Sequence, residues 1–187
     1  MSKLLNVSSS PHVRCGVSTK NLMYDVAIAM LPATIWGVMQ FGIYSLIVIV
    51  ATVLSCVLSE YLFETLMHKP VTISDGSALV TGMILGLNMP PAIPLWMPIL
   101  GGVFAIIVVK QLYGGLGQNW MNPALAARCF MLISFAQAMT KFTDPVTDAV
   151  ASATPLAAIK AGDTYDLAAM FIGKIPGTIG EVSVIAL

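Results

Sequence analysis

The chain has 187 residues, 57% hydrophobic and 10% charged, and nine Lys plus Arg balance nine Asp plus Glu to zero net charge. Soluble domains carry roughly a quarter charged residues, so a water-exposed globular surface is excluded. With no basic excess, a nucleic-acid surface and a polybasic patch for anionic lipid are excluded too. The charges are also segregated. Residues 26–59 and 76–109 are two runs of 34 without Asp, Glu, Lys or Arg. A spanning helix takes about 20 mostly apolar residues, so each run holds most of two spans. The expected fold class is an all-α integral membrane protein, a multi-span helical bundle.

In chain order, residues 1–20 are polar and Ser-rich, with Lys3, Arg14 and Lys20. They read as a cytoplasmic N-terminal strap, and their apolar stretch is too short for a signal peptide. Residues 21–187 form the membrane domain. A first span is expected over about 22–40, with Pro32 inside it. Proline is tolerated there when neighbours re-satisfy the freed carbonyl. Phe41-Gly42 makes a short turn, and a second span follows over about 43–66. The next apolar piece opens at Ser74-Asp75-Gly76 and stops at Met89-Pro90-Pro91. It is too short for a regular span and reads as a half-helix, a type found where backbone lines a cavity. A full span is expected over 94–113. Asn122 then caps a helix with Pro123 at its first position, expected to run over 123–139. Residues 140–165 are the longest hydrophilic loop. From Asp166 a new apolar segment begins, and the chain reads as truncated at its C-terminus. DGSAL (75–79) and EVSVI (181–185) echo each other, which suggests an internal repeat.

Orientation follows from the basic residues. Lys3, Arg14 and Lys20 place the N-terminus in the cytoplasm, and Lys69 and Lys110 fall on the same side. The loop 140–165 then lies outside. With Asp166 it carries Lys141 and Lys160 against Asp144, Asp148, Asp163 and Asp166, and its acidic balance suits that side.

Three features carry candidate chemistry. The cysteines Cys15, Cys56 and Cys129 lack metal or cluster spacing. In GGLGQNWMNPA, Gly114, Gly115 and Gly117 allow close backbone approach. Asn119 and Asn122 offer amides there, and Trp120 a ring. This is either a broken-helix element beside a flavin or a tight turn with an ordinary cap. Asp25, Glu60, Asp75 and Arg128 are ionisable residues in apolar segments, each costing about 2.5–3.5 kcal/mol near the bilayer centre on insertion scales. Asp25, Glu60 and Asp75 are expected near interfaces, snorkelling or paired. Asp75, at the head of the short segment, is a candidate for cation entry. Arg128 is expected to bind a phosphate or to pair with an acid. Taken locally, DAVASATPLAAIK (148–160) is a loop followed by a short helix, capped by Thr154 with Pro155 at its first position.

Five stretches together resemble one family: SPHVRCGVSTKNLMYDVAIAMLPA, DGSALVTGMILGLNMPP, GGLGQNWMNPALAARCF, SATPLAAIK and IPGTIGE, in that order. It is the family of the RnfD subunit of the Rnf complex, the membrane ferredoxin:NAD oxidoreductase. The chain is more distantly similar to the B subunit of the sodium-pumping NADH:quinone reductase. The most specific marker is the flavinylation motif: Asp148, three residues, then Ser152-Ala153-Thr154. Family members often carry Ser-Gly-Ala-Thr where this chain has Ala151-Ser152-Ala153-Thr154.

The resemblance implies that Thr154 carries FMN through a phosphodiester, with Asp148, Ser152 and Ala153 as the motif around it. A threonine hydroxyl is a poor nucleophile and needs activation, which the resemblance assigns to a flavin transferase using FAD. A phosphate at a helix start also meets free N–H groups and the positive dipole end. A second, non-covalent flavin stays open, and Asn119, Asn122 and Arg128 are further candidate cofactor contacts. It implies a urea-transporter-like architecture in a prokaryotic inner membrane. It also implies an electron-transfer role in a complex that moves Na⁺ or H⁺. The expected partners are the other Rnf subunits, which carry flavin and iron–sulfur groups, and membrane lipid. The chain is then one part of a translocase, without a complete active site of its own. The alternatives are the quinone-reductase homologue and a non-redox solute channel of similar fold.

Overall fold

The computed structural model of the chain describes residues 16–143, 150–151, 160, 167–184 and 186. Their architecture is helical, apart from one two-residue β ladder. Thr19–Phe41 and Ile43–Leu66 are each long and apolar enough to cross a membrane, and Ser77–Leu87, Trp96–Gln111 and Pro123–Ser134 are shorter apolar helices.

The first of these is not one regular helix. Helix α1 (Thr19–Ala29) is capped by Ser18, whose side chain accepts from Asn21 N. It ends at Met30, and α2 (Leu31–Phe41) starts at once with Pro32 in its first turn. The proline that the sequence places inside a span therefore restarts the helix, because it lacks the N–H that would continue it. Gly42, at φ 81°, turns the chain into α3 (Ile43–Leu66), which matches the expected second span.

Helix α4 (Ser77–Leu87) is the expected half-helix. A single 3₁₀ turn (Ile73–Asp75) precedes it, and Gly76, in the left-handed region at φ 77°, joins the two. Its packing on α3 depends on Gly82 and Gly86, four residues apart. A Cβ at Gly82 would lie 2.6 Å from Cα of Val53, and one at Gly86 would lie 3.1 Å from Cα of Ile49. Small residues at this spacing let two apolar helices approach to backbone contact, which drives association where no water is expelled. Gly82→Ala is therefore expected to destabilise the protein by about 1–3 kcal/mol through overpacking. At Gly101 a Cβ would meet only ordinary contacts at 3.5 Å, and Gly101→Ala should stay within about 0.5 kcal/mol. Thermal melts of the two variants in detergent compare them directly.

The expected span 94–113 is α5 (Trp96–Val103) running on as a π-helix (Phe104–Gln111). Asn122 caps α6 (Pro123–Ser134), its Oδ1 accepting from Ala124 N and Leu125 N. That helix stops five residues earlier than expected. Phe135 leaves helical geometry, packs edge-on against Trp96 with ring centroids 5.2 Å apart, and starts the short α7 (Ala136–Met139).

Beyond α7, β1 (Phe142–Thr143) pairs antiparallel with β2 (Val150–Ala151). After α8 (Leu167–Ile172) the chain forms turns instead of the expected apolar segment. These turns pack into the core. Ile179 is fully buried, and the backbone N–H groups of Ile179 and Gly180 bond to the carbonyls of Met89 and Leu87. They satisfy acceptors that the end of α4 leaves free. The two echoing stretches play different local parts here. Asp75 accepts from Ser77 at the start of α4, whereas Glu181 accepts from Thr178 within a turn. The main core joins α3, α4, α5 and α6 around Val48, Leu85, Met89 and Met131.

Candidate functional site

Asp148, Ser152, Ala153 and Thr154 lie outside the described residues. What is described is the backbone of Phe142–Thr143 before the motif and of Val150–Ala151 within it. Thr143 opposes Val150 and Phe142 opposes Ala151, so the residue preceding Ser152 is tied to the strand that leaves α7.

The GGLGQNW turn follows the π-helix. Gly114, Gly115 and Gly117 all have φ between 84° and 115°, the left-handed region that a side chain makes costly. The turn brings Trp120 back toward Tyr113, ring centroids 6.1 Å apart. Beside them lies an open cavity of about 480 Å³, lined by Phe104, Val108, Tyr113, Trp120, Asn122 and Cys129 among others. Nearby, Asn119 Oδ1 is buried without a hydrogen-bond partner among the described residues. An apolar cavity with aromatic walls and a few polar groups suits a flat ring ligand, and buried amide oxygens rarely go unpaired without a reason. The residues therefore fit a flavin ring. Asn122 serves α6 as its cap and lines the same cavity.

Arg128 is not part of that cavity. Its Nη1 donates to Asn88 Oδ1 and lies 3.5 Å from Glu181 Oε1. Of the two expectations for it, pairing with an acid is the one realised. Glu181 is exposed and Arg128 half-buried, and at 3.5 Å the pair is worth little in stability.

The densest polar cluster is elsewhere, between α3, α4 and the π-helix. Lys110 Nζ donates to Glu60 Oε1 at 2.6 Å and to Ser77 Oγ at 2.5 Å. Gln111 Nε2 donates to Glu60 Oε1 at 2.9 Å and reaches Glu64 Oε1 at 3.3 Å. Glu64 also accepts from Thr72 N and Thr72 Oγ1. Asp75 Oδ1 accepts from Ser77 N at 2.8 Å and from Ser77 Oγ at 2.6 Å. Glu60 and Lys110 are 0% and 1% exposed. For Glu60 the structure realises the paired alternative, and Lys110, which the sequence counts among the charges that set orientation, is its partner. Burial in a shared ion pair removes each from water and removes Lys110 from the orientation count. The clue in the sequence was their position. Glu60 ends one uncharged run and Lys110 ends the other, and opposite charges inside apolar segments pair.

Asp75 lies at the mouth of this cluster. With Glu64 and Gln111 it lines a vestibule of about 300 Å³. Consecutive residues Lys110 and Gln111 both reach Glu60, and they do so from a π-helix, a conformation that is rare and frequent at functional sites.

The profile of the NQR2, RnfD, RnfE family matches residues 6–187. The D subunit of the Na(+)-translocating ferredoxin:NAD(+) oxidoreductase complex of Acetobacterium woodii is 46% identical over 189 residues, covering 98% of this chain and 59% of that protein. The D subunit of the proton-translocating ferredoxin:NAD(+) oxidoreductase complex of Clostridium ljungdahlii is 41% identical over 198 residues, covering 98% and 60%. The D subunit of the ion-translocating oxidoreductase complex of Shewanella denitrificans is 40% identical over 157 residues, covering 83% and 45%. The chain thus spans less than two thirds of the length of these relatives.

Proposed function

The chain belongs to the NQR2, RnfD, RnfE family, and we propose that it is the membrane electron-transfer subunit of an ion-translocating ferredoxin:NAD oxidoreductase complex, with FMN attached to Thr154. The observation that carries the redox reading is the match to two D subunits across 98% of the chain. The covalent flavin is supported by the Asp148-x-x-x-Ser152-Ala153-Thr154 motif inside that match. When bound, a flavin accepts and passes on one or two electrons, and the protein sets its position and electrostatics.

The residues of the chain divide the remaining work. The β1–β2 ladder anchors the middle of the motif, Val150–Ala151, to the strand that leaves α7. The cavity under Tyr113 and Trp120 would hold a second, non-covalent flavin ring, with the Asn122 amide on its wall as a polar contact. The buried cluster below the vestibule offers the coupled cation a path, with Asp75 at its entrance. The proposed setting is a prokaryotic inner membrane, crossed several times, with the N-terminus inside and the loop 140–165 outside. A urea-transporter-like architecture with an internal repeat belongs to this reading, as do the other Rnf subunits, a flavin transferase and lipid as partners.

Denaturing electrophoresis of the complex under ultraviolet light tests the attachment. A fluorescent band at the mass of this subunit is expected, and a dark band there would contradict it. The second site has its own test. Trp120→Ala removes one wall of the cavity and should weaken non-covalent flavin binding by about tenfold, a 1.4 kcal/mol change. The flavin released from the purified complex on denaturation is measured by its fluorescence, and the covalent band should be unchanged.

A further inference from the structure

Glu60 leaves one oxygen unused. Oε1 accepts from both Lys110 and Gln111, whereas Oε2 is buried with no hydrogen-bond partner among the described residues. A dry carboxylate oxygen without a donor is costly to keep bare and is a place to put a proton. From Lys110 a line of hydrogen bonds leads out to the vestibule. Lys110 Nζ donates to Ser77 Oγ at 2.5 Å, and Ser77 Oγ donates to Asp75 Oδ1 at 2.6 Å. Glu60, Lys110 and Ser77 are all buried, and only Asp75 reaches the vestibule.

We propose that Asp75, Ser77, Lys110 and Glu60 form a proton relay that loads and unloads Glu60 from the vestibule. This deepens the ion-path part of the proposed function and rests on it only for the use made of the proton. In the unloading direction, Ser77 gives its hydroxyl proton to the Asp75 carboxylate. Lys110 passes a proton from its ammonium to Ser77 Oγ, and Glu60, its carboxyl turned so that the protonated oxygen faces Lys110, returns one to the Lys110 amine. One proton has moved from Glu60 to Asp75, Lys110 is restored, and the Ser77 hydroxyl now points toward Lys110 until it rotates back to Asp75. Loading runs the same bonds backwards and, from the resting state in which Ser77 donates to Asp75, first needs the Ser77 hydroxyl to turn toward Lys110.

Two features favour a proton over a metal cation along this line. The Lys110 ammonium already fills the space between Glu60 and Ser77 that an alkali cation would take. The other polar route, through Gln111 to Glu64, passes an amide, which does not readily relay protons, and Glu64 already accepts from Thr72 N and Oγ1. The titratable groups around Glu60 are Cys56 and Glu64 on α3, Lys110 on the π-helix and Asp75 ahead of α4. Of these, Lys110 is bonded to it directly and Asp75 is joined to it through Ser77 and Lys110.

Time-resolved infrared spectroscopy of the full-chain complex after a pH jump, without turnover, reads the relay apart from any redox role. A protonated-carboxyl C=O band that disappears in Glu60→Gln is expected. Ser77→Ala should slow its appearance on the order of 10²-fold, the usual worth of a positioned proton-transfer group. Ser77→Thr, which keeps the hydroxyl, should restore the rate. If Ser77→Ala does not assemble, Asp75→Asn removes the outer end and is read in the same way. The absence of a Glu60 band would overturn the proposal. So would an unchanged rate in Ser77→Ala, or a band that sodium chloride abolishes at fixed pH while that rate stays the same. A dark band in the electrophoretic test would instead sink the flavin assignment and leave the relay standing.

Discussion

Lys110→Met is expected to destabilise the protein by about 3–5 kcal/mol, the cost of removing one partner from a buried ion pair. The reason is the state in which it leaves Glu60. That carboxylate is fully buried and already has one oxygen without a donor. Without the ammonium its only remaining donor among the described residues is the Gln111 amide, and Ser77 Oγ also loses a donor. Methionine fills about the same volume as the lysine stem, so lost packing is a minor part of the effect. The double variant Lys110→Met with Glu60→Gln removes the stranded charge and should recover most of the loss, because replacing both members of a buried pair is often close to neutral. Chemical or thermal unfolding in detergent gives both values. A single variant as stable as the parent would mean that Glu60 and Lys110 are solvated.

The second large effect is functional and leaves the fold intact. Thr154→Ala removes the only atom of that side chain able to form a phosphodiester. It should abolish covalent flavin and reduce ferredoxin-dependent NAD reduction by the complex to the background of preparations lacking this chain. Thr154→Ser keeps a hydroxyl and should keep part of the attachment. Thermal melting should not change in either variant. Full electron transfer in Thr154→Ala would separate this chain's role from covalent flavin altogether.

Where local chemistry decides the backbone, the sequence was sufficient. Gly42 and the uncharged run after it define α3, and Asp75-Gly76 with Pro90-Pro91 confines α4. Asn122-Pro123 sets the start of α6. Tertiary contacts decided the rest. Pro32 permits a restart as readily as a kink, and packing chose the restart at Met30. Nothing in FAIIVVKQ distinguishes a π-helix from an α-helix. The bonds of Lys110 and Gln111 to Glu60, some 50 positions away, accompany that choice. The end of α6 at Phe135 goes with its contact to Trp96. The turns at 173–184 are apolar enough to read as a helix start, but the carbonyls at the end of α4 draw them into the core. Of the candidate site, GGLGQNW marked a turn and the candidate ring neighbour Trp120, but not the cavity that Phe104, Val108 and Tyr113 complete. The Glu60–Lys110 cluster was not, because periodicity carries no information on which distant charges meet.

The proposed function centres on a flavin held through Thr154. Cleavage after Lys141 and Lys160 releases the peptide 142–160, which contains the whole motif. Mass spectrometry of that peptide from the native complex should find it heavier by one FMN less one water, with fragmentation placing the added mass on Thr154. The unmodified peptide alone, or the added mass on another residue, would contradict the assignment.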